Sequence, residues 1–213
     1  LARKPADQSV NRKDIILAAA DVLRRNGYES TTMKDIAAEV NLTAASLYHH
    51  FRNKDFLLLA VLERGLEIIS GQIEPIVASD KSAAEKLRHM IHLHIIAITE
   101  NTAVGAAMVF EIRSLMNFKM PPTRGSDAAL YGEFIVRRDA FFAQRDHFED
   151  LFRRVIKEGI DKGEFCPVDV GIFTKALLGA HNWVSVWYRS SGRLSGQAIA
   201  DLMTDTFLRA LRK

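Results

Sequence analysis

A chain of 213 residues with 48% hydrophobic and 26% charged side chains can bury a full core and is too apolar to stay disordered. Its formal net charge of +3 permits a nucleic-acid partner without demanding one, and its single Cys166 excludes an internal disulfide framework. No apolar run approaches a bilayer span and LARKPADQ lacks a secretory core, so the expectation is a cytoplasmic protein with no membrane partner; a start at Leu1 rather than Met points to a trimmed chain.

Almost every segment repeats with helical spacing, and no alternating run is long enough for a half-buried sheet, so the predicted fold is all-α. Residues 11 to about 26 set Ile15, Ile16, Ala19, Val22 and Leu23 on one stripe that stops at Gly27, a residue suited to a left-handed cap. A second helix starts after Thr32, with Asp35 completing an acidic variant of the capping box, and ends at Asn41. Thr43 caps a very short third helix, and Asn53 caps a fourth running from Lys54 through FLLLAVLERGLEII. SAAE at 82–85 is a capping box that opens a helix through Ile98, and another helix covers roughly 103–118. MPPTRGS is a loop because Pro121 and Pro122 forbid a continuous helix. A long helix at about 127–163, a loop at EFCPVD and two last helices near 169–189 and 196–212 complete the chain. The division is a three-helix unit over 1–55 and a larger helical unit over 56–213.

The stretch LTAASLYHHFRNKDFLL hangs polar aromatics and cations between two apolar runs. Stepping 100° per residue from Ala44 turns Leu47 and Phe51 inward and Ala45, Ser46 and His49 outward, with Tyr48 and His50 on the flanks. Small residues at a helix start let backbone approach a surface, Ser46 and His49 can bond base edges, and Tyr48 can reach a phosphate. Thr32, Lys34 and Lys54 stand at the positive starts of the flanking helices, where phosphate oxygens are favoured. The pattern reads as a helix-turn-helix for double-stranded DNA.

Across GYESTTMKDIAAEVNLTAASLYHHFRNKDFLL the sequence resembles the TetR family of bacterial transcriptional regulators: Gly27, Thr31, Thr32, Ile36, Ala37, Leu47, Tyr48, His50, Phe51, Lys54 and Leu58 fall on the family's pattern. It departs at Asn41, where glycine is usual, at Ala44, where lysine or arginine is common, and at Ala45, where glycine is common. The resemblance implies that Thr32, Lys34, Thr43, Tyr48, His49 and Lys54 contact DNA, with Ala44, Ala45 and Ser46 facing bases.

One recognition helix covers too few base pairs for useful specificity, so a two-fold homodimer on an inverted-repeat operator is expected. The last two helices carry more apolar surface than one face needs: Ile172, Ala176, Gly179, Ala180, Trp183 and Trp187 on the first, and Ile199, Leu202, Met203, Phe207 and Leu211 on the second. The resemblance implies a four-helix dimer bundle there, the alternative being internal core. It also implies a chamber for a small-molecule effector. NWVSVWYRSSGRLSGQAIAD, EIRSL and RRDAFFAQRDHFEDLFRRVIKEG resemble the subgroup that senses acyl-CoA thioesters, with Arg113 and Arg189 as candidate phosphate partners and Trp183, Trp187 and Tyr188 as aromatic walls.

Other constellations carry less. His89 and His92 share a face and could bind a metal with a carboxylate such as Glu111, but a solvated pair is the simpler reading, and neither a metal nor a cofactor is assigned. Cys166 precedes Pro167 in a loop without a partner that would activate it. Three functions stay open: a ligand-responsive repressor, which the residues favour, an architectural DNA-binding factor without small ligand, and a metal-dependent helical enzyme.

Overall fold

The computed structural model describes residues 10–119 and 125–213, and every regular element among them is a helix. In chain order these are α1 (Arg12–Ser30), α2 (Met33–Glu39), α3 (Ala44–His50), α4 (Lys54–Val77), α5 (Ala83–Glu100), α6 (Thr102–Phe110), α7 (Ile112–Met116), α8 (Ser126–Asp161), α9 (Val170–Trp187) and α10 (Gly196–Ala210). The expected caps form. Thr32 with Asp35 and Ser82 with Glu85 close reciprocal capping boxes, while the Thr43 and Asn53 side chains accept from the amides of Ser46 and Phe56. Gly27 leaves helical geometry at φ 74° and Asn41 takes φ 56°, so the two turns around α2 use the residues that tolerate left-handed backbone.

Two stretches differ from the sequence reading. The helix expected over 103–118 breaks at Glu111, where the amide of Ser114 turns back to the Glu111 carbonyl at 3.0 Å and divides the segment into α6 and α7. The fourth helix runs on to Val77, with Pro75 inside its last turn, because the fully buried Ile73 extends its apolar stripe. Of the MPPTRGS loop, residues 120–124 lie outside the described residues.

A continuous apolar core runs from Ile15 in α1 to Leu211 after α10. α4 is its spine: Phe56 to Leu62 are all buried, and the helix packs on α1 on one side and on α5, α6 and α8 on the other. The far end is locked by α8. Gly163 at φ 74° ends that helix, the Phe165 ring fills the space a Cβ on Gly159 would need, and the Glu164 carboxylate accepts from the Ala83 and Ala84 amides at 3.2 and 3.0 Å. α5 and α6 meet at 99° around Asn101, and that bend opens space between them and α4. No single helix among the described residues is long and apolar enough to cross a membrane.

Candidate nucleic-acid interface and ligand cavity

α3 follows the helical-wheel reading. Leu47 and Phe51 are buried, while Ala45, Tyr48, His49 and His50 are exposed and Ala44 and Ser46, the latter expected outward, are half-buried. The Thr43 hydroxyl accepts the Ser46 amide at 3.0 Å and lies 2.9 Å from the Ser46 hydroxyl, which fixes the first turn of the helix. The other end is fastened by Arg12, a residue the sequence reading missed. Its guanidinium donates to the His50 carbonyl at 2.9 Å and lies 4.2 Å above the Phe51 ring. Thr32 and Lys34 are exposed at the start of α2, where hydrogen bonds from Thr32 hold the Asp35 carboxyl below the usual carboxylate range.

Lys54, expected to meet phosphate, is also engaged within the chain. Its ammonium donates to the Tyr28 carbonyl at 2.7 Å and sits 4.1 Å above the Tyr28 ring. The Tyr28 hydroxyl donates to Asp55, and its amide donates to the Glu111 carboxylate at 3.1 Å. Tyr28 thus ties the end of α1 to the start of α4 and to the α6–α7 break. Burial holds the Glu111 carboxyl above the usual carboxylate range, the Tyr28 amide offsetting only part of the rise. The sequence offered one signal for this contact: Glu111 is the only acid between Thr102 and Phe118.

The bend at Asn101 bounds a cavity of about 590 Å³, ordinary for a small-molecule site. Its interior is formed by the buried Ile16, Leu66, Ile69, Ile98, Phe148 and Leu178, with His94 as the buried polar group. The rim is cationic, with Lys13, Arg64, Arg145 and Lys175 set against Glu149. Arg64 pairs with Glu67 and Lys175 with Glu149, whereas Lys13 and Arg145 make no ion pair among the described residues. Ile16 and Leu17 belong to α1, so the helix that braces the reader also walls the cavity.

None of the five residues expected to hold the effector lines this space. Arg113 is exposed on α7, and Arg189 lies past α9 with its guanidinium donating to the Val186 and Tyr188 carbonyls at 3.2 and 2.8 Å. Tyr188 is half-buried at the end of α9. Trp183 and Trp187, 53% and 49% exposed, sit on the outer row of α9 with Ile172 and Ala176, because the i, i+4 spacing that joins them turns them away from the inward Leu178 and Asn182. Of the residues expected at a dimer surface, Ala176, Gly179, Trp183 and Leu202 are exposed and Ala180, Met203 and Phe207 half-buried, whereas Ile199 and Leu211 are core. His89 and His92 do not share a site: His92 lies 2.6 Å from Gln197, His89 3.4 Å from Lys81, and no group of three potential metal ligands occurs among the described residues.

A capped helix-turn-helix joined through shared helices to an apolar chamber defines a ligand-responsive DNA-binding regulator. A family model described as "Bacterial regulatory proteins, tetR family" matches residues 15–61, and one described as "Tetracyclin repressor-like, C-terminal domain" matches residues 136–211. The transcriptional repressor KstR2 of Mycolicibacterium smegmatis is 27% identical over 197 residues, covering 92% of this chain and 87% of the relative. AibR in complex with isovaleryl coenzyme A and operator DNA is similar with a TM-score of 0.72 at 25% identity, over 92% of this chain and 96% of that one. The ketosteroid regulator KstR2 of Mycobacterium tuberculosis shares the fold with a TM-score of 0.80 at 22% identity, over 99% and 100% of the two chains. The chain belongs to the TetR family: it is a ligand-responsive transcriptional regulator that binds operator DNA as a dimer.

Proposed function

We propose that this regulator is a cytoplasmic repressor that binds a palindromic operator and is released when an acyl-CoA thioester fills the cavity. The observation that carries the proposal is the double use of α1, whose Arg12 holds α3 while its Ile16 and Leu17 wall the cavity. A ligand that displaces α1 moves the recognition helix, and two helices respaced in a dimer no longer fit successive major grooves. On DNA, Ala44, Ala45, Ser46 and His49 face bases, and Thr32, Lys34, Thr43, Tyr48 and Lys54 meet phosphate, Lys54 while also ordering Tyr28. The dimer forms through the outer faces of α9 and α10 around Ala176, Gly179, Ala180, Trp183 and Leu202, with Met203 and Phe207 beneath.

The thioester is supported by the division of the cavity into an aliphatic interior and a cationic rim, which suits an acyl chain inside and phosphates at Lys13, Arg64, Arg145 and Lys175. The isovaleryl coenzyme A named with AibR points the same way. Operator release is the test, measured with CoA, short and long acyl-CoAs and the matching free acids on DNA selected by the protein from a random pool. Each buried methylene adds about 0.8 kcal/mol, so potency should climb with chain length until the cavity is full, and CoA alone should release poorly. Free acids as potent as thioesters would eliminate the CoA reading.

A further inference from the structure

His94 on α5 and His181 on α9 are 6% and 0% exposed, and their Nδ1 atoms lie 3.2 Å apart. Phe148, Phe152 and Phe207 surround the pair at ring-centroid distances of 5.3 to 6.4 Å. Burial pushes His94 down to about 4 and His181 well below its usual range, so both rings are neutral near pH 7. Two neutral rings meeting through Nδ1 share one proton: one Nδ1 donates and the other accepts, which makes the two rings opposite tautomers.

The outer nitrogens decide which ring is which. His181 Nε2 is sealed from solvent with no hydrogen-bond partner. An orphaned N–H is the rarer and costlier of the two possible buried mismatches, as it is for backbone groups, so His181 Nε2 carries the bare lone pair and His181 Nδ1–H donates to His94 Nδ1. His94 then carries its proton on Nε2. No hydrogen bond from that atom occurs among the described residues, and His94 lines the cavity.

We propose that the His94–His181 pair is the polar anchor of the cavity, with His181 fixing the tautomer and His94 Nε2–H donating to a carbonyl oxygen on an otherwise aliphatic ligand. The ligand class is therefore a ketone, ester or thioester with its carbonyl at the His94 end of the chamber and its hydrocarbon against Ile69, Ile98 and Leu178. This deepens the sensor reading and rests on the same cavity. A purely structural pair has no reason to leave one donor without a hydrogen bond beside the chamber.

The test is a thermodynamic cycle on the full chain with 2-octanone and 2-methyl-1-octene, which differ only in the replacement of the carbonyl oxygen by a methylene. Titration calorimetry should show the preference for ketone over alkene falling about tenfold in His94→Phe and staying within about threefold of the parent in His94→Gln, whose amide can donate in place of the ring. Nitrogen-15 spectra of the parent protein need no variant: the His94 proton should reside on Nε2, and 2-octanone but not the alkene should shift that resonance. An unchanged preference in His94→Phe, a proton on His94 Nδ1, or no binding of 2-octanone each overturns the anchor. Decanoyl-CoA run in parallel separates the two ideas. Its failure to bind, with the ketone cycle intact, removes the CoA reading and leaves the anchor standing; operator release by decanoyl-CoA without a ketone cycle does the reverse.

Discussion

Tyr48 and His49 are neighbours on α3 with different tasks, and their exposure beside the buried Leu47 makes both available to DNA. Tyr48→Ala should weaken binding to all sequences with the salt slope little changed, as expected for a lost uncharged phosphate contact, whereas His49→Ala should change which bases are tolerated. Titration against selected and scrambled duplexes at several salt concentrations separates the two. Lys54→Ala should weaken binding and also lower stability by about 1 kcal/mol, because its hydrogen bond to Tyr28 is lost with the charge. The buried histidines give a second prediction at this scale. Their folded pKa values lie below the unfolded value of 6.5, so the unfolded chain takes up protons first; stability is full above that pH and falls as the pH drops toward about 4. Between pH 7 and 5 this costs about 2 kcal/mol for His94, with His181 adding a loss in the same direction, read as a falling denaturant midpoint that His94→Phe should make shallower. The carboxyls lowered by capping hydrogen bonds, Asp35 and Glu85, lose their contribution only at more acid pH and do not confuse that window.

Elements were legible where one residue's local chemistry decides the backbone, and contacts between distant elements were not. Thr32, Thr43, Asn53 and Ser82 announce helix starts because the same side chain must satisfy a nearby amide, and the recognition face of α3 follows from rotation alone. The break at Glu111 could not be read, since the Tyr28 amide lies 83 positions away. The same holds for the cavity. Periodicity shows that α9 is apolar on more than one face, but which row turns inward depends on α5 and α6, so Trp183 and Trp187 fit both a dimer stripe and a chamber wall in sequence, while Leu178, Gly179 and Asn182 line the chamber. The tryptophans' outward row carries a prediction of its own. Ile172, Ala176, Trp183 and Trp187 stay exposed within the chain, Trp183 with its ring edge-on to Phe110, so Ala180→Glu should place a charge in the dimer bundle. Sedimentation should then show monomer with operator binding lost, and a stable mutant dimer would move the interface to other helices.

At the scale of the whole molecule, the reader and the chamber share walls. α1 contributes Arg12 to one and Ile16 to the other, α4 begins at Lys54 and lines the cavity through Arg64 to Ile69, and Glu111 joins the α6–α7 break to Tyr28. Three further ties brace this arrangement: Arg52 to Glu133 at 2.8 Å, Arg137 to Glu63, and Lys86 to Glu158 at 3.1 Å. A ligand gains control over DNA only through a preference for one arrangement of these helices, and a hundredfold preference, about 2.7 kcal/mol, would empty most of a moderately occupied operator. The direct test is to fill the chamber by mutation rather than by ligand. Ala97 lines the cavity and is half-buried, so Ala97→Phe should occupy the space an acyl chain would take. Fluorescence anisotropy on selected operator DNA, with and without decanoyl-CoA, should show at least a tenfold loss of affinity on adding the thioester to the parent protein and less than a twofold change in Ala97→Phe. A variant that still responds to decanoyl-CoA as the parent does would contradict the claim that occupancy of this cavity controls DNA binding.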